Sequence, residues 1–256
     1  MDLGLKEKSV VITGGGSNIG RALVLGFAAE GARITIGDID ETQAGKVAEL
    51  ARAAGAADVQ VVRTDVTQLD QAKALMDAAV SRYGAIDALV NNVGWDQLMF
   101  FMQTTPDFWE KIIRINFHGV LNCTHAALEK MIPAGSGSIV SISSDASRQG
   151  EAKEAVYGGM KAAVNSFMKT IAKENGRNGI RCNVVCPGVT IPEDDAEGGD
   201  AGRFHIEHFG PAAPDPDAAV ASAGEATGPG EVYRVTLGVK AFEAAAGDTI
   251  LAAATR

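Results

Sequence analysis

No stretch of the 256-residue sequence approaches the 18 or more uninterrupted apolar residues that a membrane span requires. The opening residues, Met1-Asp2-Leu3-Gly4-Leu5-Lys6-Glu7-Lys8, carry neither an apolar core of a signal peptide nor a cleavage signal. Both absences predict a cytoplasmic protein with no membrane partner. Positive charge is short as well: 23 Lys and Arg stand against 32 Asp and Glu, a formal net charge of −9. No basic patch appears, so no nucleic-acid partner is expected. Three cysteines, Cys123, Cys182 and Cys186, make no disulfide framework. The even spacing of the last two predicts thiols on one side of a strand, buried there. His205 and His208 lie in a polar region without further ligands nearby, and no metal site is expected.

What is present reads as an ordinary globular chain, 46% apolar and 21% charged. Its length suits one α/β domain with a large core, or two small domains. Strand-like runs at 9–13, 33–37, 59–63, 88–91, 138–143 and 180–186 alternate with helical segments at 19–30, 41–54, 68–82, 106–131 and 156–175. Solid apolar runs such as Val10-Val11-Ile12 and Ala88-Leu89-Val90 suit strands covered on both faces. Thr105-Pro106, followed by Asp107 and Glu110, is a helix start: a cap, a proline in the first turn, then acids near the positive end. The rhythm predicts an α/β fold, a doubly wound parallel sheet of the Rossmann type in a single domain. It stops near Pro192. Residues 193–256 are expected to be an atypical C-terminal segment of the domain spanning 1–192, with weak strands at 232–239 and 248–252.

Two clusters point to chemistry. The first strand runs into Thr13-Gly14-Gly15-Gly16-Ser17-Asn18-Ile19-Gly20. Glycines between a strand and a helix let backbone amides approach a pyrophosphate at the helix's positive end. Asp38, eighteen residues past Gly20, ends the second strand; a carboxylate there accepts both ribose hydroxyls and repels a 2′-phosphate, which favours NAD over NADP. The second cluster is Tyr157 and Lys161, four apart and hence on one helix face, with Ser144 thirteen positions upstream at a strand end. An ammonium beside a phenol lowers its proton affinity.

Together Thr13-Gly14, Asn18 and Gly20, Asp65-Val66, Asn91-Asn92-Val93-Gly94, Asn116, Ser144, Tyr157 with Lys161, and Pro187-Gly188 resemble the short-chain dehydrogenase/reductases, in order and spacing, over residues 5–190. The resemblance implies a secondary alcohol dehydrogenase or ketoreductase with a small-molecule alcohol or ketone as substrate. Tyr157 would be general acid or base. Lys161 would lower its pKa and hold the nicotinamide ribose, and Ser144 would polarise the substrate oxygen. Asn116, in the long helix, would position water for proton relay; the plainer reading, a polar residue that satisfies a local helix distortion, is compatible with that role. Gly14, Ser17, Asn18, Ile19 and Gly20 would surround the pyrophosphate, with Asp38 on the ribose. Asp65 and Val66 would hold the adenine, Asn92 the adenosine ribose side, and Val93, Gly94, Pro187 and Gly188 would border the cofactor. Val189 and Thr190 would meet the carboxamide. The long helices at 106–131 and 155–175 resemble those that pair in family dimers and tetramers.

The sequence also departs from the family pattern. Asn18 stands where Gly or Ala is usual, although Asn tolerates a left-handed backbone. Val93 replaces an alanine, Pro192 occupies a position often held by a carboxamide-contacting threonine, and the tail after residue 192 matches nothing but a faint trace around Gly247. Trp95, Asp145 and the run Leu98-Met99-Phe100-Phe101-Met102 are the expected substrate wall, although the apolar run equally suits core packing. The segments Asn92-Val93-Gly94-Trp95-Asp96, Ser144-Asp145-Ala146-Ser147 and Glu154-Ala155-Val156-Tyr157 resemble a subgroup that acts on alicyclic hydroxyacyl-CoA esters and aromatic secondary alcohols. Few basic residues beyond Arg148 and Lys153 could greet CoA, so an uncharged cyclic or aromatic alcohol is preferred. Reduction of a 3-oxoacyl carrier protein is a rival that Asp38 and the acidic balance oppose, and a nucleotide-binding pseudoenzyme is another.

Overall fold

Val10, Val11 and Ile12 are wholly buried, and their side chains alternate between two separate apolar cores. That is the signature of a strand covered by helices on both sides, and it fixes the architecture. The computed structural model describes residues 3–188, 232–237 and 240–245. Six strands, β1 (Ser9–Thr13), β2 (Arg33–Asp38), β3 (Asp58–Arg63), β4 (Ala88–Asn91), β5 (Gly137–Ile142) and β6 (Ile180–Val185), form one sheet in the order β3-β2-β1-β4-β5-β6. All five pairings are parallel. The expected doubly wound, Rossmann-like sheet is thus present.

Helices α1 (Asn18–Ala29) and α2 (Glu41–Ala53) cover one face, where Val24, Phe27, Ala44, Val47 and Ala48 meet Val10, Ile12, Ile34 and Ile36. Helices α3 (Leu69–Tyr83), α5 (Gly119–Ala134) and α7 (Ala155–Asn175) cover the other, where Leu75, Met76, Cys123, Met131, Val164 and Met168 meet Val11, Leu89 and Ile139. The strand order reverses between β1 and β4, which opens a crevice at their carboxyl ends.

The segment expected as one helix over 106–131 is divided. Helix α4 (Pro106–Ile113) passes through a π-helical stretch at Arg114–His118 before α5 begins. Thr105 caps α4 as expected, its hydroxyl accepting from the Phe108 N–H at 3.3 Å. A short helix α6 (Ala146–Gln149), not anticipated, follows directly on Ser144-Asp145. In the tail, β7 (Val232–Leu237) falls within the expected strand and pairs antiparallel with an unanticipated β8 (Lys240–Ala245) in a separate sheet. The expected strand at 248–252, Val189, Thr190, Pro192, His205 and His208 lie outside the described residues. All three cysteines are free; Cys123 is buried, whereas Cys182 and Cys186 are only partly so.

Candidate active site

The nucleotide turn is held by backbone shape. Gly14 has φ +64 and Asn18 φ +47, so Asn18 does adopt the left-handed backbone that its side chain tolerates. A Cβ on Gly20 would collide with the Gly14 carbonyl, and one on Gly14 would meet Val93 Cγ2 at 3.0 Å. These glycines let the turn double back against Asn92 and Val93 at the end of β4. Asn92 Nδ2 donates to the carbonyls of Thr13 (3.1 Å) and Gly14 (3.0 Å), and the Asn92 N–H donates to Thr13 Oγ1 (3.0 Å). Helix α1 starts here with no side-chain cap on Ser17 and no acid in its first turn. Its positive end is thus shaped for an anion.

Asp38 closes the far side of the turn. Its Oδ2 accepts from the Gly16 N–H (2.8 Å) and its Oδ1 from the Asp40 N–H (3.0 Å). The strand-end carboxylate is therefore locked beside the glycines. Asp65 and Val66 follow β3: the Asp65 carboxylate accepts from the Thr67 N–H and hydroxyl at 2.9 and 2.8 Å, and Val66 is buried against α5 with its carbonyl accepting from Asn122 Nδ2.

Three of the four residues expected to do chemistry meet at the carboxyl ends of β4 and β5. Helix α7 stacks Tyr157 and Lys161 as the spacing predicts, with Lys161 Nζ 5.5 Å from the Tyr157 ring centre. Lys161 is 2% exposed, and its ammonium donates to the Ile142 carbonyl at 2.9 Å. Gly158 lets α7 sit close to α6, because a Cβ there would meet the Ala146 carbonyl at 3.0 Å. Ser143 Oγ donates to the Lys161 carbonyl at 3.1 Å and pins α7 to the end of β5. Ser144 Oγ accepts from the Ala146 N–H, and its carbonyl accepts from Ser147 Oγ, which in turn accepts from Asn165 Nδ2.

Asn116 sits in the π-helical stretch, fully buried. Its Nδ2 donates to the Ile112 carbonyl (3.0 Å) and the Trp95 carbonyl (2.7 Å), while its Oδ1 accepts from the Trp95 N–H (3.2 Å). The distorted helix and the side chain that satisfies it thus coincide, as the sequence suggested. Gly94 is the joint between Asn116 and the trio: a Cβ there would stand 3.0 Å from Asn116 Oδ1 and 3.2 Å from Lys161 Nζ.

The electrostatics run against the simple expectation of an acidified tyrosine. In the free chain burial pushes the Tyr157 phenol up to about 12, with Glu154 and Asp96 adding to the rise and the Ser144 hydroxyl offsetting part of it. Burial likewise pushes Lys161 down to about 8, the Cys186 thiol partly opposing. The resting pair therefore holds a protonated phenol at neutral pH.

A tight cleft at Tyr157, with no room for a water molecule, is bordered by Asp96, Met99, Phe101, Thr104, Phe108, Lys153, Glu154 and Val156. Of the expected wall, Met99 and Phe101 border this cleft; Trp95 and Asp145 do not. Trp95 packs edge-on to Phe108, with Lys111 Nζ 3.4 Å from its ring centre. Asp145 pairs with Arg148 and its N–H donates to the Pro187 carbonyl, which ties the end of β5 to the segment carrying Pro187 and Gly188. Leu98, Phe100 and Met102 are exposed rather than core. Asp96, Ser143 and Glu154 were given no role of their own by sequence reasoning. For Glu154 a signal existed, since it lies one helical turn before Tyr157. Asp96 and Ser143 reach the site only through packing between distant segments.

The protein-family model for the short chain dehydrogenases matches residues 8–197. Among curated proteins, a 3-oxoacyl-[acyl-carrier-protein] reductase of Thermotoga maritima is 38% identical over 185 residues, covering 72% of this chain and 74% of that one. The cis-4-hydroxycyclohexanecarboxylate dehydrogenase of Sinomonas cyclohexanicum is 38% identical over 183 residues, 71% of this chain and 73% of that one. Among solved structures, an NAD+-bound xylitol dehydrogenase superposes with a TM-score of 0.70 at 29% identity, over 72% of this chain and 71% of that chain. The chain belongs to the short-chain dehydrogenase/reductase family, whose members are oxidoreductases.

Proposed function

We propose that this family member interconverts an uncharged cyclic or aromatic secondary alcohol and its ketone, using NAD. The observation that carries the reading is the stacked Tyr157–Lys161 pair beside Ser144, at the sheet end that also bears the glycine turn. A dinucleotide fits that turn: the glycines leave a cradle that side chains would fill, and α1 presents an uncapped positive end. Asp38, fixed by Gly16 and Asp40, supports NAD, because its carboxylate repels a 2′-phosphate.

A nicotinamide held there would supply hydride exchange at the carbinol carbon. The chain handles the proton. Tyr157 gives a proton to the ketone oxygen in reduction, or takes one from the alcohol in oxidation, while Ser144 steadies the charge that develops on that oxygen. Its resting protonated state suits the donor role. Lys161, held near the ring, favours the phenolate whenever it is formed. Asn116 braces Gly94 and Trp95 through its side-chain amide, and by the family resemblance it is assigned to positioning water for proton exchange. Asp65, Val66, Asn92 and Val93 are assigned to the adenosine half. Lys161, Gly94, Pro187 and Gly188 are assigned to the nicotinamide half, with Val189 and Thr190 beyond the described residues.

The alicyclic substrate of the Sinomonas relative favours a ring flanking the carbinol, as do Met99, Phe101 and Phe108 near Tyr157. The Thermotoga relative favours 3-oxoacyl reduction as a second reading, which the locked Asp38 and the net charge of −9 oppose. We place the protein in the cytoplasm as a homodimer or homotetramer; among the described residues no helix is long and apolar enough to cross a membrane. The test is oxidation of cyclohexanol and phenylethanol with NAD or NADP, followed at the nicotinamide absorbance. Turnover with NAD at least about tenfold faster than with NADP is expected. Enhanced NADH fluorescence on binding, without turnover of any alcohol or ketone, would instead identify a pseudoenzyme.

A further inference from the structure

Ser144 stands between two other serines that tie it to α7. Ser143 Oγ donates to the Lys161 carbonyl at 3.1 Å, in a buried contact. On the other side Ser147 Oγ donates to the Ser144 carbonyl at 2.6 Å and accepts from Asn165 Nδ2 at 2.8 Å. The first of these bonds is local, but the second joins residues 18 apart in the chain. Tyr157, Lys161 and Asn165 are spaced four apart in α7, so they share one face of the helix. The face that carries the phenol therefore also carries the amide that anchors the serine beside it.

Counting protons settles the direction of these bonds. A serine hydroxyl has one proton to give, and Ser147 gives its own to the Ser144 carbonyl. Asn165 must then turn its amide nitrogen toward Ser147, which leaves Asn165 Oδ1 buried with no partner among the described residues. An unmatched buried acceptor is costly, and a leucine of similar shape would avoid that cost. The same count applies to Ser144, whose Oγ accepts from the Ala146 N–H at 3.2 Å and keeps its own proton for the phenol. A hydrogen bond from that hydroxyl opposes the rise that burial causes in the Tyr157 pKa. Ala146 opens the short helix α6, and α6 is fastened to α7 by the Ser147–Asn165 bond and by the close approach at Gly158.

We propose that Asn165, acting through Ser147, is a positioning residue that aims the Ser144 hydroxyl at the oxygen of Tyr157 and of the substrate. Neither Asn165 nor Ser147 borders the cleft, so the effect is carried by Ser144 alone. This rests on the alcohol–ketone reading above and adds the support that its serine requires. Ser144 steadies charge only as that charge forms. Changing Asn165 should therefore slow turnover and leave the binding of alcohol and cofactor in place.

The test is steady-state oxidation of cyclohexanol and phenylethanol with NAD by Asn165→Leu. Its kcat should fall about tenfold, with KM for the alcohol and NADH affinity within about twofold of wild type. Ser147→Ala should lose a similar factor, and Ser147→Thr, which keeps the hydroxyl, should retain most of the rate. In a Ser144→Ala background Asn165→Leu should cost no more than about twofold further, because the residue it acts through is gone. Ser147→Ala takes its place in every comparison if Asn165→Leu does not fold. An unchanged kcat, a loss as large in the Ser144→Ala background, or a folded variant that no longer binds NADH overturns the proposal. If the wild type oxidises neither alcohol, the reaction reading fails by itself, and the positioning is then read from the Tyr157 ring. The chain has three tyrosines, so carbon-13 at their hydroxyl-bearing carbons gives a simple spectrum, in which Tyr157→Phe identifies the Tyr157 resonance. Asn165→Leu should move that resonance in the same direction as Ser144→Ala does. A resonance that either variant leaves in place overturns the proposal.

Discussion

The glycine turn and the Tyr157 cleft face the same crevice but are built by different means. The turn is backbone: Gly14, Gly16, Asn18 and Gly20 shape it within eight residues, and Asn92 and Asp38 pin it. The cleft and the groups behind it are side chains: Asp96, Glu154 and Tyr157 border it, and Ser144, Lys161 and Asn116 reach its neighbourhood from the end of β5, from α7 and from the π-helical stretch. A backbone device binds a shared chemical group and tolerates little change. A side-chain device can be retuned residue by residue. Apart from Lys161, which is assigned to both, changes in the cleft should therefore alter chemistry and leave nucleotide binding alone, and changes at the turn should do the reverse.

The largest separation should come from Tyr157→Phe. We expect turnover to fall about a thousandfold or more, with NADH affinity retained. Near-normal rates in that variant would end the proposed role of the phenol. Next is Asn116→Ala, which removes the partner of the Ile112 carbonyl and of both Trp95 backbone groups in a fully buried spot. Denaturant unfolding should show a loss of about 3 kcal/mol, because buried polar groups are left unmatched. A cost below about 1 kcal/mol would mean that the π-helical stretch supports itself.

Lys161 gives a pH signature. Burial holds it down to about 8 in the folded chain, against an ordinary value of about 10.4 unfolded. Between those values the unfolded state binds the extra proton, so stability rises as pH rises across the window. Without cofactor, the wild type should gain on the order of 2–3 kcal/mol from pH 7.5 to 10 relative to Lys161→Met. Parallel stability curves for the two proteins would show that Lys161 is not held in a low-polarity site. The smallest expected effect tests the turn: Asp38→Ser should lower the preference for NAD over NADP by about tenfold with kcat for the preferred alcohol little changed. An unaltered preference would assign the discrimination elsewhere.

The contrast also explains what could be read from the sequence. Solid apolar runs such as Val10-Val11-Ile12 announce a doubly covered strand, and the glycine turn and Asp38 are local patterns, so sheet and turn were legible. Tyr157 and Lys161 were legible because one helix carries both. Asp96 was not, because it faces Tyr157 only after the loop beyond β4 is fastened to Lys153 by the Met99 N–H. Trp95 looked like substrate wall by size and position, yet Lys111 and Phe108 claim its ring. The π-helical break inside the expected long helix leaves no mark in the apolar period; only the buried polar Asn116 hints at it. The raised Tyr157 shows the same limit, since burial and Glu154 outweigh what the i, i+4 ammonium suggests.

A bound nicotinamide would supply the hydride acceptor for the carbinol carbon, while Tyr157 handles the proton. The most direct measurement is oxidation of phenylethanol deuterated at the carbinol carbon, with mass analysis of the reduced cofactor. Acetophenone and NADH carrying one deuterium in place of hydrogen are expected, with the hydroxyl proton released to water. NADH of ordinary mass alongside ketone formation, or bound cofactor with no ketone from any of the alcohols, would contradict this reading.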